Sequence, residues 1–281
     1  MGGTVRELAP AKINLCLCVG QPRHDGLHEL VSLMQSVTLC DELEASDAGR
    51  DEVVCPGVEG PNLVSAAVAS FREATGWDGP PQRIEIVKRI PVAAGMGGGS
   101  ADAAAALRLL ARRSGTALGA LEAVAAALGS DVPSQLRPGR ALVHGAGELV
   151  TPLPDPAGFG VLVLPSRARL ATAAVYREAD RLGTPRSASE LAQLAQLDPL
   201  ELTGVNDLAA AALSLEPSIA DALTQALAAG ASKAMVCGSG PTVIGLFDAP
   251  PAAAVAAAAL RETGVDARAA GPFPASASLL G

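Results

Sequence analysis

Aromatic residues are almost absent: among 281 residues there are one Trp, one Tyr and four Phe. A core has to be filled with Ala, Val and Leu, and there is ample material, since 49% of the chain is hydrophobic and the mean hydropathy is +0.32. Basic residues are also scarce, 21 Lys and Arg against 29 Asp and Glu, for a net charge of −8 and a pI near 4.9. That balance argues against nucleic acid as a partner, because a phosphate backbone is gripped by a basic face. No apolar run reaches the ~20 residues that span a bilayer, and Arg6 and Glu7 interrupt any signal-like start. A soluble, cytoplasmic protein with no membrane partner is the expectation. The five cysteines (Cys16, Cys18, Cys40, Cys55 and Cys237) are odd in number and lack C-x-x-C spacing. They read as reduced, mostly buried thiols, not as a disulfide frame or a zinc site.

Glycine is concentrated in one place. Residues 91–113 read PVAAGMGGGSADAAAALRLLARR, with four glycines in the five positions 95–99. Glycine loses the most backbone freedom on folding, so such a run belongs where the backbone needs φ > 0 or a ligand comes close. A strong helix follows. Ser100 is the expected N-cap, Asp102 lies in the expected first turn, Arg112 and Arg113 lie in the last, and Gly115 stops it. Free N–H groups and the positive end of the helix dipole make such a junction an anion site, with phosphate the usual anion. No Gly-Lys-Ser/Thr follows the glycines, which excludes a Walker A loop, and Ser100 stands where a dinucleotide fingerprint needs its last glycine. The competing reading is a flexible turn ahead of an Ala-rich helix.

Several further side chains invite attention. Residues 5–19 alternate as a strand, with Ile13, Leu15, Leu17 and Val19 on one face and Lys12, Asn14, Cys16 and Cys18 on the other. Lys12 is then either a solvated strand lysine or one aimed into a protected site. Asp25-Gly26 marks a hairpin turn, followed by His28, a strand over 30–39 and a second strand from Leu43. His28 by itself reads as a half-buried polar residue. Asn62 caps a helix running to Thr75, and residues 83–90 alternate as the strand that delivers the chain into the glycine run. A helix over 118–128 stops at Gly129, and Asp131 with Pro133 reads either as an N-cap or as a functional acid. Strands are expected over 140–143 and 148–153, and the Pro-rich residues 152–156 form the best linker. Beyond it the pattern gives a strand over 159–164 and helices over 172–182, 188–197, 206–213 and 217–229. Strands over 234–237 and 242–247 flank a Gly238-Ser239-Gly240-Pro241 turn, and a helix over 252–261 and a strand over 265–270 follow. Both halves read as α+β, divided as 1–156 and 157–281.

Five blocks, in order, resemble the GHMP small-molecule kinases. They are Pro10-Ala11-Lys12-Ile13-Asn14-Leu15, Asp25-Gly26-Leu27-His28-Glu29-Leu30, Pro91-Val92-Ala93-Ala94-Gly95-Met96-Gly97-Gly98-Gly99-Ser100-Ala101, Leu128-Gly129-Ser130-Asp131-Val132-Pro133 and Cys237-Gly238-Ser239-Gly240-Pro241-Thr242. The third and fifth point to the superfamily. The Lys12 and His28 blocks are similar to the branch that phosphorylates a cytidine-diphosphate-linked sugar alcohol; another small alcohol, such as homoserine or a mevalonate-like acid, and a non-catalytic nucleotide-binding module are the alternatives. The resemblance implies a two-domain GHMP fold, with an N-terminal ribosomal S5 domain 2-like ATP-binding domain and a C-terminal ferredoxin-like domain. It implies ATP held by the 91–101 loop, with Mg²⁺, and a third motif (Gly238, Ser239, Gly240) lying against that loop. Asp131 would be the general base and Lys12 would lie beside it. Asn62 and Lys88 would lie near the adenosine. Asn14 would lie near the substrate, His28 would read the cytosine edge, and Leu27 and Tyr176 would flank the base. Leu27 departs from the family, which usually has an aromatic there.

Overall fold

The computed structural model describes residues 3–58, 60–92, 94–198 and 200–275. Its first sheet starts from a long hairpin. Strands β1 (Val5–Pro22) and β2 (His28–Asp47) pair antiparallel from Val5 opposite Ala45 to Pro22 opposite His28. The Asp25-Gly26 turn joins them: Gly26 takes a φ of 80°, and Asp25 Oδ1 accepts from Leu27 N at 3.0 Å. Strand β3 (Glu52–Val54), helix α1 (Leu63–Thr75) and strand β4 (Gln82–Val87) make a parallel βαβ step. Asn62 caps α1, its Oδ1 accepting from Val64 N at 2.9 Å. The break expected between 39 and 43 does not occur, because the far end of β2 gains β4 as a second partner from Glu42 to Asp47.

Helix α2 (Gly98–Ser114) crosses the first sheet, and α3 (Glu122–Leu128) and α4 (Val132–Leu136) pack beside it. Residues Ala101, Ala103, Ala104, Ala105 and Ala106 are all fully buried. Such small side chains let α2 lie close to β1 and α1, which is how a chain poor in aromatics still fills its interior. Strands β5 (Arg140–His144) and β6 (Leu149–Leu153) complete the sheet on the other flank of β2.

The second sheet takes strands β7 (Gly160–Leu164), β8 (Lys233–Val236), β9 (Val243–Phe247) and β10 (Arg268–Ala270). Between β7 and β8 come α5 (Thr172–Leu182), α6 (Ala188–Leu194), α7 (Ala209–Leu215) and α8 (Ile219–Ala228), and α9 (Pro250–Glu262) lies between β9 and β10. The antiparallel order β10-β7-β9-β8 is that of a ferredoxin-like split βαβ. Bridges from Leu17 to Asn206, Gly20 to Arg186 and Val37 to Pro272 tie the hairpin to this second half. All five cysteines are free thiols, and no helix among the described residues is long and apolar enough to cross a membrane.

One face assignment is corrected. The register of β1 slips between Asn14 and Cys16. A bulge adds a residue and flips the side chains beyond it. Ile13 and Leu15 therefore share a core with Cys16 and Cys18, whereas Leu17 and Val19 belong to a second core. Lys12 and Asn14 open on the same cleft as Leu17, not beside the cysteines.

Candidate active site

The glycine run is held by its neighbours. Strand β4 ends at Val87, short of the expected Ile90, because Asp41 on β2 takes the next backbone groups: its Oδ1 accepts from Arg89 N and, at 2.8 Å, from Ile90 N. Asp41 Oδ2 also pairs with Lys88 Nζ, which reaches Asp102 Oδ2 at 2.7 Å. Two buried carboxylates thus share one ammonium. Burial, with Asp41 nearby, pushes the Asp102 carboxyl up to about 7 despite the opposing pull of Lys88, and among the described residues Asp102 Oδ1 has no hydrogen-bond partner.

Helix α2 begins earlier than expected. Its N-cap is Gly97, with a φ of 67°, and not Ser100. The first helical bond runs from Ala101 N to Gly97 O at 2.8 Å, so the N–H groups of Gly98, Gly99 and Ser100 precede the ladder. Asp102 lies inside the helix on its buried side, drawn there by Lys88. A Cβ on Gly99 would meet nothing within 4 Å, while one on Gly98 would lie 3.1 Å from Ile90. Upstream, Val92 is exposed, Pro91 is half-buried, and Ala94 and Met96 are buried; Ala93 lies outside the described residues.

The third motif lies directly on this loop. A Cβ on Gly95, where φ is 74°, would stand 2.5 Å from Cys237 O and 2.9 Å from Gly240 O. Only glycine fits that approach. Asn206 holds the turn, donating from Nδ2 to Val236 O at 2.9 Å and to Gly238 O at 2.8 Å, while its Oδ1 accepts from Leu208 N. With Asn206 so engaged, α7 starts at Ala209 instead of 206. Ser239 Oγ meets Thr172 Oγ1 at 3.2 Å, joining the turn to the start of α5.

Lys12 and Asp131 converge on Gly97. Lys12 N donates to Met96 O at 3.0 Å, which pins β1 to the loop. Lys12 Nζ donates to Asn14 Oδ1 at 2.9 Å and stands 3.4 Å from Asp131 Oδ2. The Asn14 amide is set by its own donation to Ser32 Oγ, which donates in turn to Cys16 O. Asp131 occupies the N-cap position of α4 but makes no side-chain capping bond. Its carboxylate faces Lys12, and a Cβ on Gly97 would lie 3.1 Å from the Lys12 stem and 3.6 Å from Asp131 Oδ2. Lys12 is thus 6% exposed rather than solvated, and both side chains line one cleft.

A cleft of about 660 Å³ extends from here to the hairpin turn. It brings together Lys12, Asn14, Leu27, His28, Gly95, Gly97, Asp131, Tyr176, Gly238 and Ser239; Asn62 and Lys88 do not line it. The His28 and Tyr176 rings lie 4.8 Å apart, tilted by 45°. Burial, followed by the charge of Asp131, pushes the Tyr176 phenol up to about 12. Leu27 is 52% exposed at the rim. Three residues escaped the sequence reading. Asp41 and Asn206 are joined to the site only by long-range packing. Asp180 has a signal, standing four residues after Tyr176 on one helix face, and its Oδ1 meets His28 Nε2 at 2.9 Å.

Residues 62–139 match the family model described as "GHMP kinases N terminal domain", and residues 177–266 match "GHMP kinases C terminal". A relative from Anaeromyxobacter sp. (strain Fw109-5), named 4-diphosphocytidyl-2-C-methyl-D-erythritol kinase, is 41% identical over 93% of this chain and 88% of its own length. One of the same name from Streptomyces avermitilis is 41% identical over 92% and 93%. A crystal structure of 4-(cytidine 5'-diphospho)-2C-methyl-D-erythritol kinase superposes with a TM-score of 0.79 at 34% identity, covering 95% of this chain and 98% of that one. The homoserine kinase from Cytophaga hutchinsonii, at 18% identity and a TM-score of 0.65, shares the fold. With the glycine loop, the third motif and nearly the full length all matched, the chain belongs to the GHMP kinase family.

Proposed function

We propose that this kinase transfers the γ-phosphoryl group of ATP to the 2-hydroxyl of 4-diphosphocytidyl-2-C-methyl-D-erythritol, a step of the non-mevalonate isoprenoid pathway. The observation that carries the chemistry is the Lys12–Asp131 pair, at 3.4 Å, set against Gly97 at the mouth of the glycine loop. The observation that supports the substrate is the His28 and Tyr176 pair at the far end of the same cleft, together with relatives of that name.

Phosphoryl transfer asks for a positioned alcohol and for neutralisation of phosphate charge. The 91–101 loop would cradle the triphosphate. The free N–H groups of Gly98, Gly99 and Ser100 supply donors, and the missing side chain of Gly99 leaves the approach open. Asp131 accepts the proton of the acceptor hydroxyl at a carboxylate oxygen, and the Lys12 ammonium offsets negative charge as it builds. Asn14 holds Lys12 in place and faces the substrate. His28 reads the cytosine edge, with Leu27 and Tyr176 on either side of the ring. Asn62 and Lys88 serve the adenosine end, Lys88 by bracing the start of α2 through Asp102. Gly238, Ser239 and Gly240 close the loop from the other side.

Mg²⁺ accompanies ATP in this reading. Among the described residues no cluster of three or more His, Cys, Asp or Glu is arranged to hold a metal ion, so the ion would be held mainly by the phosphates and water. Its contribution is electrostatic neutralisation of the triphosphate. The ATP-binding part is residues 1–156 and the second part is 157–281, supported by two sheets that share no strand. The cytoplasm is the proposed location.

The test is ADP release by the purified protein with ATP and each of three acceptors: the cytidylyl sugar alcohol, homoserine and mevalonate. Turnover with the first alone is expected. Equal or better turnover with either of the others would overturn the substrate assignment.

A further inference from the structure

His28 is 9% exposed, yet it lines the cleft. Its Nε2 lies 2.9 Å from Asp180 Oδ1. A carboxylate oxygen has no proton to give, so the shared proton sits on Nε2 and the imidazole donates. In a neutral ring that leaves Nδ1 as an acceptor. Among the described residues Nδ1 meets no hydrogen-bond partner, and it is not among the side-chain atoms sealed from solvent. Among the described residues the Asp180 carboxylate has no other side-chain partner: Arg181, next to it on α5, pairs with Glu178 instead. The carboxylate, partly open to solvent, thus has His28 as its ion-pair partner. Tyr176, one helical turn before Asp180, lays its ring on the imidazole and restricts its rotation.

We infer that Asp180 is a positioning residue that holds His28 in the Nε2–H form, and that this makes the cleft select a base bearing an exocyclic amine over one bearing a carbonyl at the same place. The inference rests on the cytidylyl reading given above and adds how the base is told apart. Cytosine presents an N4 amine, a donor that the Nδ1 lone pair accepts. Uracil presents a carbonyl oxygen there, and two lone pairs would face each other in a protected pocket. An acceptor left without a donor in such a site is strongly disfavoured. Without Asp180 the ring is free to carry its proton on Nδ1, and the uracil carbonyl then finds a donor.

The experiment measures kcat and KM for the cytidylyl substrate and for its uridine counterpart, in the wild type and in Asp180→Ala. Binding of cytidine 5'-diphosphate and uridine 5'-diphosphate is measured alongside by calorimetry. The wild type should prefer cytidine. Asp180→Ala should lose roughly tenfold or more of that preference. The loss should fall on KM for the nucleoside substrate, with KM for ATP held. Asp180→Glu should recover part of the preference. Ring ¹⁵N spectra of histidine-labelled protein report the tautomer directly, and with three histidines in the chain the His28→Gln variant assigns the signal. A protonated Nε2 and a bare Nδ1 are expected. An Asp180→Ala protein that keeps the wild-type preference, or a wild-type spectrum with the proton on Nδ1, overturns the inference. A wild type that does not phosphorylate the cytidylyl substrate defeats the functional reading instead, and the spectrum still tests the role of Asp180.

Discussion

Lys12 Nζ stands 3.4 Å from Asp131 Oδ2, and Lys12 N donates to Met96 O. Three stretches that are far apart in sequence meet at this contact: the first strand, the turn between α3 and α4, and the glycine run. The bulge in β1 belongs to this arrangement. It lets Lys12 and Asn14 share the cleft with Leu17 while Cys16 and Cys18 pack inward.

The glycines of the loop serve two different ends, and alanine separates them. At Gly95 a methyl group would press on the carbonyl of Cys237 at 2.5 Å, in a backbone conformation that L residues avoid. Gly95→Ala should destabilise the fold by roughly 2 kcal/mol or more, read from denaturant unfolding. At Gly99 the methyl meets nothing, and the residue is helical. Gly99→Ala should leave stability unchanged or raise it by about 0.5–1 kcal/mol, yet raise KM for ATP several-fold. An unaltered KM for ATP would remove Gly99 from the phosphate cradle.

The Lys88 cluster makes a statement about pH. The Asp102 carboxyl is held near 7, above its value in an unfolded chain, by burial and by Asp41. Between those two values the folded state binds the extra proton, so this group's contribution to stability falls as pH rises. Asp102→Asn cannot ionise and escapes that loss. Within the window the wild-type carboxyl is itself mostly neutral, so Asn costs Lys88 no charged partner there and only a pH-independent change in the hydrogen bond remains. The stability difference, variant minus wild type, should therefore move in favour of the variant between about pH 4 and about pH 7. A difference that is flat over that range, or that moves the other way, contradicts the assignment.

Leu27 is half exposed on the hairpin turn, on the rim of the cleft that holds Tyr176. An aromatic here would have a ring to stack against a bound base. Leu27→Tyr should tighten the cytidylyl substrate by about 1 kcal/mol, roughly a fivefold fall in KM, with kcat held. No change in KM would mean that the base does not reach this rim.

The local elements were legible because their signals are local. Asn62 caps α1, Gly26 shapes the hairpin turn, and Gly115 takes the left-handed conformation that closes α2. What was misread depended on partners remote in sequence. Ser100 looked like the cap of α2, but Gly97 in the left-handed conformation starts the helix earlier and Lys88 draws Asp102 to the buried side. The continuity of β2 depends on β4, and the late start of α7 on Asn206 being engaged by the third motif. The two-sided reading of Asp131 is of the same kind. The residues around it suggest a cap, and only the position of Lys12 shows what the carboxylate faces.

The most direct test is the single-turnover rate of phosphoryl transfer by Asp131→Asn, with ATP affinity measured on the same protein. If Asp131 takes the proton of the acceptor hydroxyl, the rate should fall by roughly a hundredfold or more while ATP binds within a few-fold of wild type. A rate within a few-fold of wild type would show that the acid beside Lys12 does not activate the alcohol.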